Sequence, residues 1–197
     1  NIIKGNLGIF DKFTGDGILA FFPTFYSGED AILRALISAE QCHKLFQEHY
    51  NSNRNKFTVF IKDIGVGIGI DFGKVSIVNT SSELTVVGAA VVYACRFSSA
   101  KAGSTLLNQG AVENLVGLNQ PMVRYISESE IQIKNEGLAL AYEVEIDGSI
   151  YVDKEDKPWD MYVTQPGDEN TGDTVAPSQE VGDQFQNLWA KRIIWST

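Results

Sequence analysis

Apolar residues dominate positions 7–13 and 18–22, and Gly15, Asp16 and Gly17 stand between the two runs, a pattern that predicts paired strands around a tight turn. Asp-Gly is a frequent two-residue hairpin turn, so this aspartate needs no function of its own. Ser27 followed by Asp30 reads as a capping-box helix start. Ile32, Ala35, Leu36, Ala39 and Phe46 then recur at helical spacing, and the polar cluster of Asn51 to Asn55 ends that helix. Strands are predicted over 57–61 and 64–70, a turn at Asp71-Phe72-Gly73, and a further strand over 74–78. After another polar turn, the short strand TVVG leads into a helix over 89–100. A second helix is predicted near 109–115, and two more strands over 131–134 and 139–146. The mixture of hairpins and helices predicts an α+β fold, a mainly antiparallel sheet with helices on one side.

The last part of the chain reads differently. Positions 158–190 hold no Lys or Arg, Pro and Gly interrupt any long element, and Asp168, Glu169, Asp173, Glu180 and Asp183 keep the stretch solvated. It ends in FQNLWAKRIIW, where Phe185, Leu188, Trp189 and Ile193 share one helical face and predict an amphipathic helix docked on its own domain or on a partner. The expected organisation is a main domain over 1–147, followed by an acidic linker and amphipathic segment over 148–197.

Composition narrows the partners. A chain of 197 residues with 44% hydrophobic content can bury one good core. A net charge of -9 with no local run of Lys or Arg excludes a nucleic-acid polymer, and leaves room for a small anion held by a few placed cations. Cys42 and Cys95 each sit in a helical apolar pattern and are expected to be small buried residues in a reducing compartment. With neither an apolar run of about 18 residues nor a signal peptide, no membrane span is expected in this stretch, and the localisation expected is cytoplasmic.

KFTGDGILAFF, GVGIGIDFGKV, LTVVGAAVVYACRFSSA and IKNEGLALAYEV, in that order, resemble the landmarks of class III nucleotidyl cyclases, the catalytic domains of adenylate and guanylate cyclases. The resemblance covers residues 7–146. The acidic Gly-Gly-[Asp/Glu]-Glu-Phe turn of diguanylate cyclases is absent. The resemblance implies a ferredoxin-like cyclase fold whose first strand and helix lie upstream of this sequence. It implies attack of a ribose 3′-hydroxyl on the α-phosphorus with pyrophosphate leaving, and two Mg2+ or Mn2+ ions that stabilise the attacking and departing oxygens. Asp16 matches the second of the family's two metal-binding aspartates, and nothing matches the first. Asp11 is a poor substitute, because five residues along a strand point it to the opposite face. Lys12 matches a base-reading lysine. Ala89 stands where the resemblance puts its partner aspartate, and Val92 where it puts a ribose-orienting asparagine. Arg96 matches the arginine that stabilises charge on the phosphoryl group, and Lys134 the lysine that holds the terminal phosphates. In the family, residues matching Asp16 and Arg96 come from opposite subunits, so a homodimer with shared active sites is expected. The altered base positions suggest a pyrimidine cyclase of bacterial antiphage signalling, making cyclic UMP or cyclic CMP. The alternatives are an adenylate cyclase and a catalytically inactive regulatory domain.

Overall fold

The computed structural model describes residues 2–58, 63–80, 83–118, 122–133, 136–147 and 189–196. After a short helix, α1 (Ile2–Gly5), strands β1 (Ile9–Thr14) and β2 (Gly17–Pro23) form the expected antiparallel hairpin. Thr14 stands opposite Gly17, so the two-residue loop is Gly15-Asp16 rather than Asp16-Gly17. Gly15 has φ 72°, the left-handed backbone that the first position of a type II′ loop requires and that glycine takes without strain. The register of β1 shifts between Phe10 and Lys12. This bulge breaks the in-and-out alternation that sequence reading assumes.

Helices α2 (Thr24–Ser27) and α3 (Ala31–Asn53) follow. Ser27 does not open α3. It closes α2 and donates its hydroxyl to Leu7 O at 2.8 Å, while the N-cap Asp30 makes no side-chain cap bond. The remaining elements are β3 (Gly67–Lys74), β4 (Ser76–Thr80), β5 (Glu83–Val87), α4 (Ala89–Phe97), β6 (Thr105–Leu107), α5 (Gln109–Gly117), β7 (Val123–Ile133), β8 (Gly137–Ile146) and β9 (Trp189–Ser196). β3 runs straight through Asp71-Phe72-Gly73, where a turn was expected, and pairs across that stretch with β9. Of the strand expected over 57–61, residues 57 and 58 are not in a strand and the rest lies outside the described residues.

The main sheet has the order β1-β2-β9-β3-β6-β8-β7, antiparallel except for β3 against β6, and β4 with β5 forms a separate hairpin. α3 and α5 pack on one face, where Ala20, Phe22, Ile68, Ile70 and Leu107 meet Ile32, Leu36, Ala111 and Leu115. α4 covers the other face, burying Ala90 and Ala94 on Leu19, Phe21 and Val86, and Phe97 on Leu106, Ile133 and Ala141. Helices therefore cover both faces rather than one. That is why GILAFF is apolar at consecutive positions: Ala20 and Phe22 serve one core, Leu19 and Phe21 the other.

The C-terminal segment departs furthest from expectation. Trp189–Ser196 is a strand in the middle of the sheet, antiparallel to both β2 and β3, and not part of an amphipathic helix. Ile193, Ile194 and Trp195 are of the β-branched and aromatic types that suit a strand, and the backbone groups of β2 and β3 between them need partners. Phe185 and Leu188 lie outside the described residues.

Candidate functional site

The bulge in β1 decides the first half of the site. Lys12 Nζ donates to Thr85 Oγ1 at 2.7 Å. Thr85 Oγ1 in turn donates to Asp11 Oδ2 at 3.1 Å, and Val86 N reaches the same oxygen at 3.4 Å. Two consecutive residues of β1 thus meet one threonine of β5, which regular alternation would forbid. Asp11 has a side chain only 2% exposed, and its carboxylate serves as a strut between the two hairpins. The Lys12 side chain stays 46% exposed, 3.9 Å from Asp11.

Sequence reasoning placed the companion of Lys12 at Ala89. The residue that Lys12 meets is Thr85, four positions earlier, and it was missed. Its signal was the single hydroxyl in the apolar run LTVV, on a strand where Val86 faces the core and Thr85 therefore faces away.

Asp16 is exposed in the loop between β1 and β2. Gly15 and Gly17 on either side add no side-chain bulk, so a ligand can approach the carboxylate closely. Among the described residues no three His, Cys, Asp or Glu side chains gather as a metal cage. The arrangement suits the way Mg2+ is usually bound, by one or two carboxylates with phosphate oxygens and water. Asp16 lies exposed in the loop, whereas Asp11 is buried and bonded to Thr85 and Val86.

The second half is carried by α4. Ala90, Ala94 and Phe97 are buried toward the sheet, while Ala89 and Val92 are exposed and Arg96 is partly exposed. The Arg96 guanidinium forms an ion pair with Glu136 and lies 5.9 Å from the ring centroid of Tyr93, within cation–π range. Glu136 belongs to the turn between β7 and β8, where its N–H bonds Ile133 O at 3.1 Å. Ile133 packs with Phe97, so apolar contact and ion pair hold the same turn against the end of α4. Lys134, also in this turn, lies outside the described residues. Cys95 is exposed beside Arg96, contrary to expectation. Cys42 is buried on α3, and burial pushes its thiol up to about 12.

The two halves occupy different parts of the sheet. Three strands, β9, β3 and β6, stand between β2 and β8. At ~4.8 Å per strand that is roughly 19 Å. Away from both, a cleft of about 390 Å³ is lined by Glu40 and His43 of α3, by Ser104 and Thr105, and by Glu143 of β8. His43 Nε2 bonds Thr105 Oγ1 at 2.9 Å there. No described helix is long and apolar enough to cross a membrane.

No protein-family profile and no curated protein matches the chain. Solved structures do. The chain is similar to the guanylyl cyclase Cya2, with a TM-score of 0.59 and 24% identity over 76% of this chain and 76% of that one. It is also similar to the adenylyl cyclase CyaB from P. aeruginosa, with a TM-score of 0.57 and 20% identity over 74% of this chain and 76% of that one. The chain has the α+β fold of these cyclases.

Proposed function

We propose that this chain is a catalytic domain of a nucleotidyl cyclase, converting a nucleoside triphosphate to its 3′,5′-cyclic monophosphate and pyrophosphate. The observation that carries this reading is the Lys12–Thr85 pair on one hairpin system together with Arg96 on the outer side of α4. The 3′-oxygen forms a bond to the α-phosphorus, the bond to the bridging oxygen breaks, pyrophosphate departs, and the hydroxyl proton leaves to solvent or to the departing phosphate. Arg96 supplies a fixed cation where negative charge develops on the phosphoryl group. Lys134 would hold the terminal phosphates. Mg2+ or Mn2+ would be held by Asp16 with the phosphates, and when bound would neutralise charge on the reacting oxygens. Two such ions and a shared-site homodimer complete the proposal.

The base argument turns on Thr85. Adenine presents one acceptor beside one amino donor on its pairing edge, which an ammonium and a hydroxyl oxygen satisfy together. Guanine adds a second donor there, and Lys12 has no acceptor to offer it. ATP is therefore favoured over GTP, while cytosine, which also presents an acceptor beside an amino donor, would satisfy the same pair. A pyrimidine substrate is the second reading, supported by Ala89 and Val92, which are exposed on α4 and carry no hydrogen-bonding group.

Incubating the protein with each of the four nucleoside triphosphates and Mn2+, with products read by mass spectrometry, tests this. ATP should give the highest kcat/KM, and Thr85→Val should lower it by about tenfold, the range of one lost hydrogen bond in a discriminating site. Preference for UTP or CTP would select the pyrimidine reading. No product from any nucleotide would favour a regulatory domain.

A further inference from the structure

Arg96 is paired with a carboxylate of its own chain. Its partner, Glu136, bonds Ile133 O through its own N–H at 3.1 Å and is followed by Gly137 at φ 91°. The two side chains are 31% exposed for Arg96 and 42% for Glu136, although the pairing atom, Arg96 Nη1, is itself buried. Such a pair is weak and exchangeable. A single carboxylate holds the guanidinium fork at the site where a triphosphate, with several times its charge, would compete for the same donors.

We propose that Glu136 is a positioning residue that acts as an anionic placeholder: it holds Arg96 and is displaced by the phosphates of the nucleotide. This inference rests on the cyclase reading and adds a regulation of the same site. Displacement has a consequence for both partners. The Glu136 carboxylate, repelled by the incoming phosphates, turns toward solvent, and the energy of the ion pair is subtracted from that of phosphate binding. Glu136 therefore sets the nucleotide concentration at which the site fills, and the Ile133–Phe97 contact keeps the turn in place after the exchange.

The test measures affinity, not turnover, by titrating the full chain calorimetrically in Mn2+ with two probes. One is 3′-deoxy-ATP, which lacks the attacking hydroxyl. The other is inorganic tripolyphosphate, which lacks base and sugar. Glu136→Gln should bind both about two- to fivefold more tightly than wild type, the range set by one exposed ion pair. In an Arg96→Ala background the same substitution should change neither affinity by more than the effect of removing one distant charge. Unchanged or weaker binding in Glu136→Gln would overturn the placeholder role, as would an equal gain in the Arg96→Ala background. Binding of tripolyphosphate without 3′-deoxy-ATP, with the Glu136→Gln gain intact, would support the placeholder while sinking ATP as the substrate. Failure of wild type to bind either probe would overturn both.

Discussion

Asp16 combines a turn position with exposure to solvent. The strain of the loop falls on Gly15, at φ 72°, and Asp16 takes an ordinary negative φ in the second loop position. Asn can occupy that position without backbone cost, so Asp16→Asn should leave the melting temperature near that of wild type. If the carboxylate holds the metal, the same change should reduce turnover roughly 10²-fold or more, the scale on which loss of one preorganised electrostatic partner is felt. Full activity in this variant would reduce Asp16 to a turn residue. His43 offers a residue-scale prediction on stability. Burial lowers its pKa from the ordinary value of about 6.5, and Glu40 opposes that shift without reversing it. The unfolded chain then binds more protons than the folded one as pH drops below the ordinary value. The contribution of His43 is complete above that pH and is lost as pH falls toward the folded-state pKa. Melting temperatures from pH 7.5 to 5 should fall less steeply for His43→Gln than for wild type. Equal slopes would mean that His43 titrates alike in both states.

Among the elements, α4 and β3 show the tightest dependence of the site on packing. A Cβ on Gly69 would fall against the Ala94 carbonyl oxygen and 2.5 Å from Ser98 N, both of them backbone atoms that cannot turn aside. Gly69→Ala should push α4 off the sheet, costing about 1–3 kcal/mol in a denaturant titration and displacing Arg96 with the helix. A wild-type midpoint in that titration would show that α4 can yield there. Elements of this kind were legible in the sequence: β2, α3 and α4 came from the apolar pattern, because each buries a stripe or two complementary faces, and β1 came with β2 from the turn between them. The failures have physical causes. β7 reads as a strand only over its last residues, since Ser127-Glu128-Ser129-Glu130 offers little apolar alternation in a strand that lies at the sheet edge. The bulge at Phe10–Lys12 inserts one residue without any glycine to announce it, so Asp11 meets Thr85 beside Lys12 where alternation would turn the two apart. Thr85 was missed because spacing along the chain was used where contact across two hairpins decided the matter. For β9, the periodicity of FQNLWAKRIIW fits a helix, and only the unfilled position between β2 and β3 makes the strand preferable.

On the scale of the whole molecule, the distribution of charge-bearing residues argues for assembly. A metal-holding carboxylate and a charge-stabilising arginine must converge on the same phosphorus, a few ångströms across. In this chain Asp16 projects from the β1–β2 turn at one edge of the sheet, while Glu136 holds Arg96 against the β7–β8 turn toward the other edge. The core strands between them are filled on both faces by α3, α5 and α4, so the sheet cannot fold to bring its edges together. A second copy, arranged head to tail by a two-fold axis, would bring the Asp16 edge of one chain to the Arg96 edge of the other and form two equivalent sites. The exposed apolar side chains Leu84 and Val87 of β5 and Val92 of α4 lie on the Thr85 and Arg96 elements, and are suited to burial in such a contact. Complementation tests the arrangement. Asp16→Asn and Arg96→Ala homodimers should each be inactive, since both of their sites lack a residue. A heterodimer of the two variants places both lesions in one site and leaves the other intact. If subunits exchange freely at equal concentration, about half of the dimers are mixed, each with one of two sites working, so activity should recover to about one quarter of wild type. Light scattering should report a dimer in the same solution. Subunit exchange verified by mass-labelled chains, with no recovery of activity, would rule out sites shared in this way.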